Sequence, residues 1–211
     1  MSPRPSIAEI VVAGEPGAWS QAGFLVSGGS ALVGSVLLRL AGAEAGRGIV
    51  SWALRDVSSR DLDGLPTTAP SDERRTLGPA HANGVARLDH VVAFSPDLAR
   101  SVPALQAAGL DLRRVREGPT AAGAQRQAFF RLGETLLELV EHPPDTPAAR
   151  DPETPSHFYG LAFLVADLDA TAAHLGPLLG EPRDAVQPGR RIATVRREAA
   201  LGPPVAIMNE A

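Results

Sequence analysis

Apolar positions along this chain fall into short alternating runs that return in a fixed order. Residues 87–98, RLDHVVAFSPDL, form an apolar strand that turns into Asp-Leu, and residues 158–169, FYGLAFLVADLD, repeat that design. After the first comes a helix opening near Asp97 or Ser101, where Asp97 is a capping residue type and Pro103 suits a first turn. After the second, Leu168, Thr171, Ala172 and Leu175 recur at helical spacing behind Asp167 and give a narrow apolar stripe. Strand-like segments then follow each helix: LDLRRVRE, RQAFFRL and ETLLELVEH in the first case, GEPRDAVQ, RRIATVRR and PPVAIMN in the second. The chain therefore reads as βαβββ at 87–142 and again at 158–208. Three strands after each helix, instead of two, set this apart from a ferredoxin-like sheet.

The N-terminal part repeats the pattern in eroded form. IAEIVVA starts a strand, PGAWSQAGF supplies a short helix, and VGSVLLRLAG echoes LGETLLELVE; on that overlay Glu9 stands where His90 stands and Arg39 where Glu138 stands. A further strand, GIVSWALRDV, follows. Residues 61–86 are rich in Pro, Gly, Ser and charge without periodicity, so they read as a linker or wrapping loop. The expected organisation is a degenerate module at 1–60, the linker at 61–86, and a paired-module domain at 87–211. The fold class is α+β. Trp19 and Trp52 both fall in the first unit, as core anchors or as stacking partners for a ligand or a neighbouring module.

Composition removes several classes of chemistry. With no cysteine there are no disulfides, thiolate metal sites or Cys nucleophile. The net charge is -4, and the basic residues are all Arg, scattered without a stripe that could follow a phosphate backbone, which argues against nucleic acid as a partner. No run of about 18 apolar residues occurs, as a membrane span would need, so a cytoplasmic protein is the default expectation. A phosphate-binding loop with its Lys and a G-x-S-x-G elbow are both missing.

The ordered set LDHVVAFSPDL with LLELVEHP, then GLAFLVADLD with PVAIMN, resembles the vicinal oxygen chelate superfamily. That group includes glyoxalase I, extradiol dioxygenases, methylmalonyl-CoA epimerase and bleomycin-resistance proteins. The resemblance implies two βαβββ modules whose sheets curl around a cavity. It also implies a divalent metal on a His from the first strand and a Glu or Gln from the last strand of each module. His90 and Glu138 match these positions in the middle module, whereas Gly160 and Ala206 stand at them in the last. Two protein ligands hold a divalent ion only weakly, so no cofactor is assigned and His90 and Glu138 are read as an acid/base pair.

Other candidates surround that pair. Arg126 and Gln127 open the strand RQAFFRL, and Arg190 and Arg191 sit in QPGRRIATV, where alternation turns only one of the two inward; Arg126, Gln127 and Arg191 are carried as ligand-binding residues for a planar anion. His81 lies in the segment before the middle module, where it could cap the cavity mouth. Tyr159, on the opposite face from Gly160 by alternation, is expected to pack, and His142 to lie on the surface. The resemblance then implies a small organic ligand in the cavity of a monomer or homodimer. It leaves two alternatives to a lyase or isomerase working without a tightly held metal: a drug- or metabolite-sequestering protein of bleomycin-resistance type, and a metal-dependent lyase or dioxygenase.

Overall fold

The computed structural model describes residues 4–72, 76–118, 126–143, 145–151 and 153–210. The alternating segments become two mixed sheets. The first is made of β1 (Ser6–Val12), β2 (Ser30–Val33), β3 (Val36–Leu40), β4 (Ile49–Arg55) and β5 (Thr67–Thr68), with helix α1 (Pro16–Gln21) after β1, in the order β2-β3-β1-β4-β5. The second starts with β6 (Val85–Ser95), α2 (Leu98–Ala107), β7 (Asp111–Glu117), β8 (Arg126–Leu132) and β9 (Thr135–Glu141). The short helix α3 (Pro147–Arg150) leads to β10 (His157–Val165), α4 (Leu168–Leu175), β11 (Arg183–Asp184), β12 (Arg191–Thr194) and β13 (Val205–Asn209). The order is β11-β12-β13-β10-β6-β9-β8-β7.

One rule generates both sheets. The first strand of each module lies parallel to its last, β6 on β9 and β10 on β13, while the two first strands run antiparallel in the middle. Equivalent residues stand at equivalent register: Val92 faces Glu138, Ala162 faces Ala206, and in the first sheet Val11 faces Arg39. The first sheet is itself a pair. β4 runs antiparallel to β1 and parallel to β5, as β10 does to β6 and β13, although no helix and no middle strands separate β4 from β5. The strand expected merely to follow the first module thus opens a fourth, reduced one, and its partner β5 lies within residues 61–86.

Asp97 starts α2, its side chain accepting from the Ala99 N–H at 2.8 Å, and Asp167 caps α4 in the same way through Asp169 and Ala170. Pro103 lies inside α2 beyond the first turn, at the loss of one helical hydrogen bond.

Each first strand also carries a β-bulge at the same place. The register slips by one residue at Ala8 in β1, at Asp89 in β6 and at Tyr159 in β10, just before Glu9, His90 and Gly160. A bulge leaves one residue unpaired and re-aims its side chain, so the alternation of faces fails there.

A continuous core joins the sheets. Leu88, Val91 and Ala93 of β6, Leu137 and Leu139 of β9, and Leu98 and Leu105 of α2 belong to the same buried cluster as Ile10, Leu38 and Trp19. Trp19 meets Phe163 with ring centroids 6.2 Å apart, and Trp52 meets Phe158 at 5.0 Å. Both tryptophans are therefore core anchors and also contacts with the neighbouring sheet.

Candidate functional site

The face of the second sheet away from this core carries His90, Glu138 and Gln127. On β6 it presents His90, Val92 and Phe94, all partly exposed, between the core residues Val91 and Ala93. On β9 it presents Leu136, Glu138 and Val140; Gln127 and Phe129 of β8 stand opposite Val140 and Glu138, and Arg116 and Arg114 of β7 stand opposite Gln127 and Phe129. On the other half a small apolar cluster of Ala162, Leu164 and Met208, backed by Ile192 and Ala206, lines the same face.

Across it runs a chain of polar contacts. His90 Nδ1 is 2.6 Å from Asp89 Oδ2, and Asp89 Oδ1 accepts from both terminal nitrogens of Arg190 at 3.3 Å. His90 Nε2 points at Glu138 Oε2 from 3.6 Å, and Gln127 Nε2 donates to the other Glu138 oxygen. The bulge explains why neighbours in sequence meet: strict alternation would send Asp89 to the core face, but at the slipped position it turns beside His90. Burial alone would raise the Asp89 carboxyl, yet its bonds to His90 and Arg190 hold it below the usual carboxylate range. An ionised Asp89 can accept the Nδ1–H, and the other ring nitrogen, Nε2, is the one that faces Glu138. Burial pushes the Glu138 carboxyl up, against the opposing pull of His90, Arg116 and Arg114. Arg114 lies over the Phe129 ring at 4.6 Å.

Several expected positions are corrected. Arg126 pairs with Glu141 Oε1 at 3.2 Å on the face that carries α2, since residues opposite one another in register share a face. Arg191 turns to Asp169 on α4, at 2.8 Å, and it is Arg190 that reaches the site. His81 is buried against Phe24, with Nδ1 accepting from the Leu25 N–H at 2.9 Å, so it packs residues 61–86 on the first unit and lies outside the His90 cleft. Burial lowers its pKa. His142 is not a surface residue: its ring stacks with Phe94 and His157 at 4.9 and 5.2 Å. Tyr159 is 49% exposed, lies at its bulge and lines a cleft together with His90. Asp89, Arg114 and Arg116 were not singled out from sequence; the bulge hides the first, and only the register of β7 on β8 brings the other two to this face.

The divalent metal implied by the resemblance does not fit these residues. Gly160 and Ala206 offer no donor, and a Cβ on Gly160 would lie 2.7 Å from the Pro204 carbonyl oxygen, which also accepts from the Leu161 N–H at 3.0 Å. The last module thus has no room for the imidazole kept by the middle one. Among the described residues no group of three or more His, Asp or Glu side chains could hold a metal ion. In the first sheet the equivalent Glu9 is engaged by Arg39 and by the Ser71 N–H at 2.7 Å. Gly160→Ala is expected to destabilise the fold by about 1–3 kcal/mol, because β13 must shift away from β10. Urea denaturation checks it; an unchanged midpoint would mean the approach is not tight.

Residues 87–188 match the model of the Glyoxalase/Bleomycin resistance protein/Dioxygenase superfamily. Among solved structures, methylmalonyl-CoA epimerase from Mycobacterium tuberculosis is 21% identical, with 64% of this chain and 93% of that chain covered and a TM-score of 0.49. A variant of Streptomyces coelicolor methylmalonyl-CoA epimerase in complex with 2-nitronate-propionyl-CoA is 24% identical over 60% and 99%, with a TM-score of 0.47. A hypothetical protein from Bacillus halodurans C-125 is 19% identical over 59% and 94%, with a TM-score of 0.48. No curated protein matches the chain. Among the described residues, no helix is long and apolar enough to cross a membrane. The match to the Glyoxalase/Bleomycin resistance protein/Dioxygenase superfamily thus spans the middle module and the first part of the last one.

Proposed function

We propose that this face binds a small organic anion and that His90 and Glu138 exchange a proton with the carbon next to its carbonyl or carboxylate group, as an isomerase or lyase requires. The observation that supports this reading is the contact chain Arg190, Asp89, His90, Glu138, Gln127. Asp89 orients the imidazole, and the partly buried Glu138, whose carboxyl is pushed up by burial, faces Nε2, so two groups able to pass a proton stand together. Arg190 on one side and Arg114 and Arg116 on the other supply positive charge for the anion and for an enolate oxygen formed when the proton leaves.

The test has two steps. Thermal shifts across small carboxylates and aldehydes identify binders, because a ligand stabilises the state that binds it. Proton NMR in deuterium oxide then follows exchange at the carbon next to the carbonyl of each binder. Exchange is expected with the wild type and is expected to be lost in His90→Ala. Binding without exchange in the wild type would instead support sequestration, and exchange that survives His90→Ala would remove the pair.

A further inference from the structure

We propose that the ligand is an elongated molecule with a second anionic group, lying from His90 across Tyr159 to Arg196 and Arg197; this rests on the reading of His90 and Glu138 just given. The cleft that His90 lines has a volume of about 150 Å³. That is below the roughly 300–1,000 Å³ of pockets that bury a whole organic ligand, so it accepts a reacting end and little more. A larger cavity of about 570 Å³ begins where this cleft stops, and the two share Tyr159, Thr194, Pro204 and Val205. Leu201 and Pro203 add to the apolar wall of the larger cavity, Arg196 and Arg197 lie along it, and among the described residues no acidic one lines it. Arg196 is anchored through Nε to the Leu179 carbonyl at 3.4 Å. Neither arginine makes an ion pair among the described residues.

Tyr159 marks the junction. It occupies in the last module the bulged position that Asp89 occupies in the middle one, and it lines the cleft together with His90. Phe94 holds its ring edge-on, with centroids 5.2 Å apart. From His90 on β6 the path crosses β10 and β13 to the end of β12. Three strand spacings of about 4.8 Å amount to roughly 14 Å, the extended length of a chain of about a dozen carbons.

Calorimetric titration of the full chain with straight-chain α,ω-dicarboxylates and with monocarboxylates of equal length tests this. Dicarboxylates of about 12 carbons are expected to bind about 10-fold more tightly than the matching monocarboxylates, the order of one charge-assisted contact. The advantage should vanish in Arg196→Ala/Arg197→Ala and turn into a penalty in Arg197→Glu, with monocarboxylate affinity unchanged in both. Equal affinity for the two series, or an advantage that persists in the double variant, would overturn the groove. Affinity that ignores both arginines but falls in His90→Ala would overturn it while leaving the proton-transfer reading intact.

Discussion

Glu138→Gln is expected to slow proton exchange on the bound ligand by about 10²- to 10⁴-fold, the usual contribution of a positioned acid or base. At neutral pH the same change should make the protein more stable. The carboxyl lies in β9 beneath Gln127 and beside His90, where burial favours the protonated form and raises its pKa from the ordinary 4.5. A group that holds its proton better when folded contributes stability that is fully present below the unfolded pKa and is lost as pH rises through the folded one. At neutral pH the wild type therefore carries a desolvated carboxylate that the amide does not. The amide has the same shape and its carbonyl can still accept from Gln127, so the fold has no reason to rearrange. Melting temperatures of both proteins across pH 4 to 8 should diverge in favour of Gln as pH rises, while exchange by the variant stays low throughout. Parallel melting curves would mean that Glu138 is solvated like any surface carboxylate.

Alternation explains both what the amino-acid pattern told and where it failed. The βαβββ order was legible because β6, β8, β9 and β13 each bury one face, and the overlay of Glu9, His90 and Gly160 is reproduced in the pairing registers. The reduced module of β4 and β5 was not, since a two-residue strand inside a Pro-rich segment has no period to detect. Arg126 and Gln127 are neighbours in a regular strand, so they cannot both face inward; only Gln127 does, and the same rule separates Arg190 from Arg191. Asp89 and Tyr159 escaped for the opposite reason. At a bulge the rule is suspended, and nothing in the local composition of LDH or FYG announces one. The polar site is thus built where the strand departs from the regularity that made it recognisable.

Trp19→Ala is expected to cost about 3–5 kcal/mol, as loss of a fully buried large aromatic does. The indole is wholly excluded from solvent, packs on Phe24 at 4.8 Å and on Phe163 of β10, and donates from Nε1 to the Leu201 carbonyl at 3.0 Å. It therefore ties α1 of the first unit to the last module at two points. Its seat is tight: a Cβ on Gly14 would lie 2.4 Å from the same carbonyl oxygen and 2.7 Å from Nε1. Against a net stability of about 5–15 kcal/mol for a folded domain, the loss would leave the chain marginal. Trp19→Phe keeps most of the apolar contact but leaves the Leu201 carbonyl unpaired, so a smaller cost of about 1–3 kcal/mol is expected. Because one buried cluster runs through both sheets, urea unfolding should remain a single transition in wild type and variants, with its midpoint lowered in the order Phe then Ala. Two separated transitions in Trp19→Ala, the later one at the wild-type midpoint, would show that the second sheet stands without the first and that the tryptophan joins units which do not depend on each other.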